Sequence, residues 1–561
     1  MIELLRRLAI RPVLLFEILL ASLLANILAL ATPIFVIQIL NRYVAQGVDS
    51  TLVTLTGGAV IAVLLEYGFK RIRLRFAEAV NSGPDEALAH GSYEVLTRAK
   101  STAMDMLPPG TRREILAGSD TIRQAFIPQN IGVLVDVPFA VMFLGVLFLL
   151  HPVLATIATG FVVMIFVFVL ISLGGLRGTT RKMSTVAGRR GGLIESAIVA
   201  ADAVRAFNAA DFLQRRWRFE VGVLEGLRRR IGRRQSGVQA MIQSAVALMT
   251  ISMITAAALL VVSGQLDVGA MIGANILSAR ALMPITAMAQ MVEGWARARQ
   301  AQDMFHEFAK LPRERTDGTA VSDYAGRLEA KDVSFTFPGS GTPVFERLSF
   351  QLEPGEVMVV TGANGSGKTT LARLIAGLLD PGRGNLLADG VDITQMAPVW
   401  WRRQLIYLPQ EPRFFTGSLR DNLLAFNANL DASAMHTLLA RVGLDDFIDQ
   451  NSEGLDMMLV NGGTNLSLGI RRRLALVRGL ANNGKLVILD EPTEGLDAEG
   501  SAHVYAMMNA LATEGHTIIA CSHDAQIIRG AHHLLDLNEK PVPRFTSLAQ
   551  QVKSAPAEIP L

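Results

Sequence analysis

Six apolar runs crowd the first 300 residues, and no other feature constrains the fold as strongly. They lie near Val13 to Leu40, Thr51 to Phe69, Gly132 to Leu150, Pro152 to Leu173, Val238 to Val262 and Val268 to Val292. A hydrocarbon core about 30 Å thick is crossed by about 20 mostly apolar residues in a helix. Backbone groups in lipid must bond one another, so each run is expected to be a helix. The breaks at His151-Pro152 and Ser263-Gly264-Gln265 leave room only for tight turns. Composition agrees with a chain partly in lipid: half the residues are hydrophobic and only 18% are charged, with a mean hydropathy of +0.34. A net charge of +3 gives no bulk excess of the kind that binds nucleic acid. The single cysteine, Cys521, excludes an intrachain disulfide and a cysteine-rich zinc site.

The N-terminus allows two readings. Arg6, Arg7 and Arg11 before an apolar run, with Ala29-Leu30-Ala31 beyond it, match a cleaved secretory signal. The run continues through Ile34-Phe35-Val36-Ile37, however, which suits an uncleaved first span better. Basic residues then set the orientation. Lys70, Arg71, Arg73, Arg75, Arg98, Lys100, Arg112 and Arg113 lie between runs two and three, and a longer arginine series from Arg177 to Arg234 lies between runs four and five. The alternate connections are short and nearly free of Lys and Arg, so both termini and both long connections are expected in the cytoplasm. Three ionisable residues sit in or beside the apolar runs. Glu17 and Glu66 are expected to reach the interface, and Arg280 to face a cavity or another helix rather than lipid.

The chain changes character near residue 300. The expected organisation is a six-span domain over 1–300, a polar linker over 301–326, a soluble domain over 327–541 and a loosely ordered tail over 542–561. Within the soluble part, Gly362-Ala363-Asn364-Gly365-Ser366-Gly367-Lys368-Thr369 fits the phosphate-binding loop pattern. It follows an apolar strand, Val357 to Val360, and precedes a helix-like run beginning at Thr370, which is the context the chemistry needs. Glycines let backbone amides approach phosphate oxygens, and the helix N-terminus adds partial positive charge. Lys368 is expected to reach the β- and γ-phosphates of ATP, and the Thr369 hydroxyl to bind Mg2+. Leu486-Val487-Ile488-Leu489-Asp490-Glu491 reads as a buried parallel strand ending in two carboxylates. Beside a phosphate loop, Asp490 is the expected magnesium partner and Glu491 the carboxylate that polarises the attacking water. A strand with a capping acid is the plainer reading of the same residues.

Residues 328 to 540 resemble the nucleotide-binding domain of ATP-binding cassette transporters. The resemblance implies that Phe337 stacks on adenine and that Gln410 links magnesium to the membrane domain. It also implies that Asp497, in Gly495-Leu496-Asp497, follows the second motif and that His523 contacts the γ-phosphate. The family signature LSGGQ departs here to Leu466-Ser467-Leu468-Gly469-Ile470, and the usual Ser-Ala before Leu-Asp is Glu494-Gly495. Ser467 and Gly469 keep hydroxyl and backbone contacts available. Leu468 adds bulk where backbone approaches phosphate, so low or conditional ATPase activity is one expectation and ordinary turnover the other.

The six runs, with Leu134-Val135-Asp136-Val137-Pro138-Phe139 and Ile276 to Pro284, resemble exporter-type membrane domains, most narrowly the ATPase-permease of type I secretion systems. The implied architecture is an α-helical membrane domain of exporter type fused to an α/β P-loop nucleotide-binding domain. The implied protein is a half-transporter pairing with a second half-transporter, a homodimer in preference to a heterodimer, in the inner membrane with the ATPase in the cytoplasm. In that family the signature of one subunit completes the phosphate-loop site of the other. Helix ends around Met106 to Arg113 and Ala206 to Phe212 would press on the cassettes near Gln410. A type I system adds a periplasmic adaptor, an outer-membrane channel and an unfolded polypeptide substrate. Span one begins almost at once, so no N-terminal peptidase domain and no substrate processing are expected. Export of lipid, glycan or small molecules on the same scaffold is the second reading. A nucleotide-gated regulatory protein with little turnover is the third, opposed by the retained Glu491 and His523.

Overall fold

The computed structural model describes residues 7, 11–45, 47, 49–174, 177–319 and 323–548. The chain forms two compact units, Met1–Ala99 with Met104–Leu311, and Lys100–Ala103 with Pro312–Leu561.

In the first unit, six helices among the described residues are long and apolar enough to cross a membrane: Pro12–Val44, Asp49–Arg98, Pro128–Leu150, Pro152–Ile171, Ala210–Val262 and Val268–Ala309. The second, fifth and sixth run well beyond the apolar stretch, so the basic connections are helical extensions of the spans rather than loops. The first span ends in a π-helical turn, Ile39–Val44. Its Asn41 side chain accepts a hydrogen bond from the Gly269 backbone at 3.1 Å. The sixth span meets it through Gly269 and Gly273. A Cβ at Gly273 would come within 2.3 Å of Ile37, so only glycine permits this approach.

Charge is buried in this unit by pairing. Glu66 is buried rather than interfacial, against expectation, because Lys70 one turn on and Arg280 of the sixth span at 3.8 Å both face it. Arg280 thus faces another helix, as its position in an apolar run required. Glu17 is partly buried. A second pair joins Arg73 to Asp136 at 2.6 Å, with Asn26 donating to the same carboxylate at 2.9 Å.

The sixth helix continues to Ala309, so the stretch expected as a linker from 301 opens inside a helix. In the second unit the strands are β1 Leu328–Phe335, β2 Phe345–Leu352, β3 Val357–Thr361, β4 Arg383–Ala388, β5 Val391–Asp392, β6 Leu405–Leu408, β7 Gly417–Ser418, β8 Met458–Leu459, β9 Leu486–Asp490, β10 Thr517–Cys521, β11 His533–Asp536 and β12 Arg544–Ser547. One sheet has the order β2-β1-β4-β5, and a larger one β12-β11-β3-β10-β9-β6. The strands β11, β3, β10, β9 and β6 run parallel. Their apolar runs are continuous because both faces are covered: Met358 and Val360 join one core, Val357 and Val359 the other. Arg544–Ser547, expected in a loose tail, pairs antiparallel with His533–Asp536 and belongs to this sheet. The rest of that expected tail, 549–561, lies outside the described residues.

Candidate nucleotide site

Parallel strands deliver their carboxyl ends to one edge, and in α/β sheets that edge is where ligands bind. From β3 the chain turns through Gly362, Gly365 and Gly367, with φ of 148°, 81° and 112°. At Gly367 any Cβ would lie 2.5 Å from Val344, so the left-handed turn and the close packing both require glycine there. The helix Lys368–Ile375 follows at once. Its apolar face, Leu371, Leu374 and Ile375, fills the core beneath the smaller sheet and holds its N-terminus at the sheet edge.

Lys368 is buried, and its ammonium donates to the Gly362 carbonyl at 2.7 Å. It lies 3.0 Å from His523 Nε2 and 3.5 Å from Glu491 Oε1. The Thr369 hydroxyl donates to Gln410 Oε1 at 3.3 Å. Gln410 stands just beyond β6, Asp490 ends β9, and His523 follows β10. A cavity of about 320 Å³ is lined by Phe337, Asn364, Gly365, Gly367, Lys368, Thr369, Thr370, Gln410, Asp490 and Glu491, together with Val344. Gly362 and Ser366 form the loop behind it, where Ser366 N donates to Ala363 O. Ser467, Gly469 and Asp497 are not among the lining residues. Ser467 caps the helix Leu468–Leu480 by accepting from Ile470 N, and Asp497 caps Ala498–Thr513 by accepting from Gly500 N.

Asp490 is fully buried, and neither carboxylate oxygen has a well-formed hydrogen bond among the described residues, although the Thr369 hydroxyl lies alongside. Burial pushes its carboxyl above the usual carboxylate range. A buried carboxylate with spare lone pairs, a threonine hydroxyl and an amide oxygen make the all-oxygen donor set that suits Mg2+. Glu491 adopts a left-handed backbone, φ 50°, unusual for a residue with a side chain. Its N–H donates to the Cys521 carbonyl at 2.9 Å, which fixes the turn.

Sequence reading missed several supports. Asn538 Oδ1 accepts from Ala363 N at 2.7 Å, and Lys540 donates to the Ser366 carbonyl at 2.8 Å, so the connection after β11 braces the glycine loop. Asp524 holds the turn after His523, accepting from Tyr505 and from Thr493 at 3.0 Å. Burial works to raise the Asp524 carboxyl, but these bonds and the backbone N–H groups of Gln526 and Ile527 outweigh it and hold it below its ordinary value. The Tyr505 hydroxyl is pushed up to about 12, first by its hydrogen bond to Asp524. None of these pairs has a fixed sequence spacing, which is why no motif announced them.

This arrangement is that of a P-loop ATPase fused to a helical membrane unit. The ABC transporter transmembrane region family matches residues 15–285 and the ABC transporter family residues 345–494, and the chain belongs to the ABC transporters. It has an exporter-type fold: a solved bacterial Atm1-family ABC exporter with ATP bound superposes with a TM-score of 0.84 at 20% identity, covering 97% of each chain. It is similar to the type I secretion system ATP-binding protein PrsD of Rhizobium meliloti, 25% identical over 94% of this chain and 90% of that one. It is also similar to the leukotoxin translocation ATP-binding protein LktB of Bibersteinia trehalosi, 26% identical over 92% of this chain and 73% of that one. The chain binds ATP and couples its hydrolysis to transport as a multi-pass membrane protein.

Proposed function

We propose that the chain exports a polypeptide through a type I secretion route, as a homodimer in a prokaryotic-type inner membrane with its cassette in the cytoplasm. The observation that supports it most is the convergence of Lys368, Glu491 and His523 at one edge of the sheet, in a chain resembling PrsD over nearly its whole length.

In this reading the glycine loop amides and the helix N-terminus cradle the β- and γ-phosphates. Phe337, exposed at the rim and edge-on to Phe335 at 4.9 Å, offers its face to adenine. Lys368 neutralises phosphate charge. Glu491, carried on its left-handed turn, accepts the proton of the attacking water, and His523 hydrogen-bonds the γ-phosphate. Thr369, Asp490 and Gln410 would hold Mg2+, which supplies charge neutralisation across the phosphates. Ser467, Gly469 and Asp497, outside the chain's own cavity, serve the site of a second copy. ABC exporters work as dimers, and two copies make two such sites. Met106 to Arg113 and Ala206 to Phe212 remain proposed contacts to the cassettes. Lys100–Ala103 joins the cassette unit, where Ser101 donates to the Leu378 carbonyl at 2.8 Å and Lys100 pairs with Asp380. An adaptor and an outer-membrane channel would complete the route.

The test is Mg2+-dependent ATP hydrolysis in nanodiscs beside Glu491→Gln, followed by reconstitution with a secreted polypeptide bearing its C-terminal segment. Turnover stimulated by that segment, and not by lipids or small apolar compounds, supports the polypeptide reading. Stimulation by the latter alone turns the assignment to the second class of cargo.

A further inference from the structure

The signature and the turn after Glu491 depart from the family pattern at the same place in space. Leu468 opens the helix Leu468–Leu480, and its Cδ2 lies 3.1 Å from where a Cβ on residue 495 would stand. Residue 495 is glycine with φ 72°, so no side chain stands where the leucine packs. One turn along the same helix, Arg472 is fully buried. Its Nη2 donates to Glu494 Oε2 at 2.8 Å and to the Gln410 backbone carbonyl at 3.2 Å. A buried guanidinium without a carboxylate is costly, so buried Arg472 depends on Glu494, which reaches it from a half-exposed position.

We infer that the two departures are one matched unit, in which Leu468 and Arg472 act as positioning residues. Leu468 sets the height of the Glu494–Asp497 turn against the signature helix. Arg472 ties that turn to the backbone of Gln410. The altered signature is then compensated within the same chain, and its bulk is absorbed at residue 495 rather than at the phosphate. Movement of Gln410 reaches Asp497 and the signature helix through a single side chain. This inference rests on the site assignment proposed above.

The experiment is a pair of double-mutant cycles on ATP hydrolysis by the full chain in nanodiscs: Arg472→Gln with Glu494→Ser, and Leu468→Gly with Gly495→Ala. Each of Glu494→Ser and Gly495→Ala should lower kcat by about fivefold or more with KM for ATP little changed, and the second substitution of each pair should recover about threefold. Losses that multiply, or a KM that rises in step with the fall in kcat, overturn the inference. If Arg472→Gln does not fold, Glu494→Gln decides: it keeps an acceptor for Arg472 and should retain most of the turnover that Glu494→Ser loses. Equal loss in both overturns the inference. Glu491→Gln in parallel tests the site itself, since residual turnover there would unseat the site assignment and not the coupling.

Discussion

The two units bury charge by different means. In the cassette, Lys368, Asp490 and Glu491 are held at one sheet edge by short stretches of backbone, each running from a buried strand straight into a turn. In the membrane unit, Glu66 meets Arg280 and Arg73 meets Asp136 across helices far apart in sequence. The first arrangement keeps its charges poised for a ligand. The second uses its charges on each other, and fixes helix against helix. Lys368 and Glu491 also face one another at 3.5 Å, but on the wall of an open cavity, whereas the membrane pairs join helix to helix.

That contrast can be broken most sharply at Glu491. Glu491→Gln should reduce kcat by about 10²-fold or more while ATP binding persists, measured by turnover and nucleotide affinity in nanodiscs. Undiminished turnover would place the water-polarising group elsewhere. Asp136→Asn should act oppositely, leaving nucleotide affinity alone and lowering the unfolding midpoint of the membrane unit, because it strips a buried guanidinium of its partner. Breaking such a pair costs about 3–5 kcal/mol. Arg73→Met with Asp136→Leu should recover most of that loss, and failure to recover would mean that the charges do more than hold helices.

A smaller effect concerns acid. The Asp524 carboxyl is held below its ordinary value when folded, so its contribution is fully present above the unfolded carboxylate pKa of about 3.9 and is lost as pH falls through the depressed folded value. Asp524→Asn should flatten the acid limb of cassette stability, read by thermal unfolding at several pH values. It should also loosen His523, visible as a modest fall in kcat. An unchanged acid limb would remove Asp524 from the account. The smallest change is expected from Lys100→Ala, whose exposed pair with Asp380 is worth about 0–1 kcal/mol. Its readout is coupling, the transport achieved per ATP, with stability unmoved.

The difference between the units also explains what the sequence could disclose. Gly362 to Thr369 and Leu486 to Glu491 are contiguous because a strand, a turn and a helix N-terminus are contiguous in the chain, so the glycine loop and the two carboxylates at the strand end were legible residue by residue. The spans were readable because lipid imposes length and apolarity on each separately. Glu66 was misplaced because, beside the local Lys70, it faces Arg280, more than 200 residues away, and the pairing of two helices leaves no mark on either alone. Arg472, Asn538 and Asp524 escaped for the same reason. Strand Arg544–Ser547 was taken for tail because its polar, proline-flanked sequence is that of an edge strand, which needs no apolar run.

The left-handed backbone at Glu491 carries an evolutionary consequence. Such a conformation costs a residue with a Cβ roughly 1–2 kcal/mol, and glycine almost nothing. A mutation to glycine there would relieve the backbone, take the carboxylate away from buried Lys368 and, on the role proposed for Glu491, idle the pump. The position therefore sets fitness for folding against fitness for work, and a lineage released from the need to transport would find in this one codon an easy road to a well-folded, silent relic.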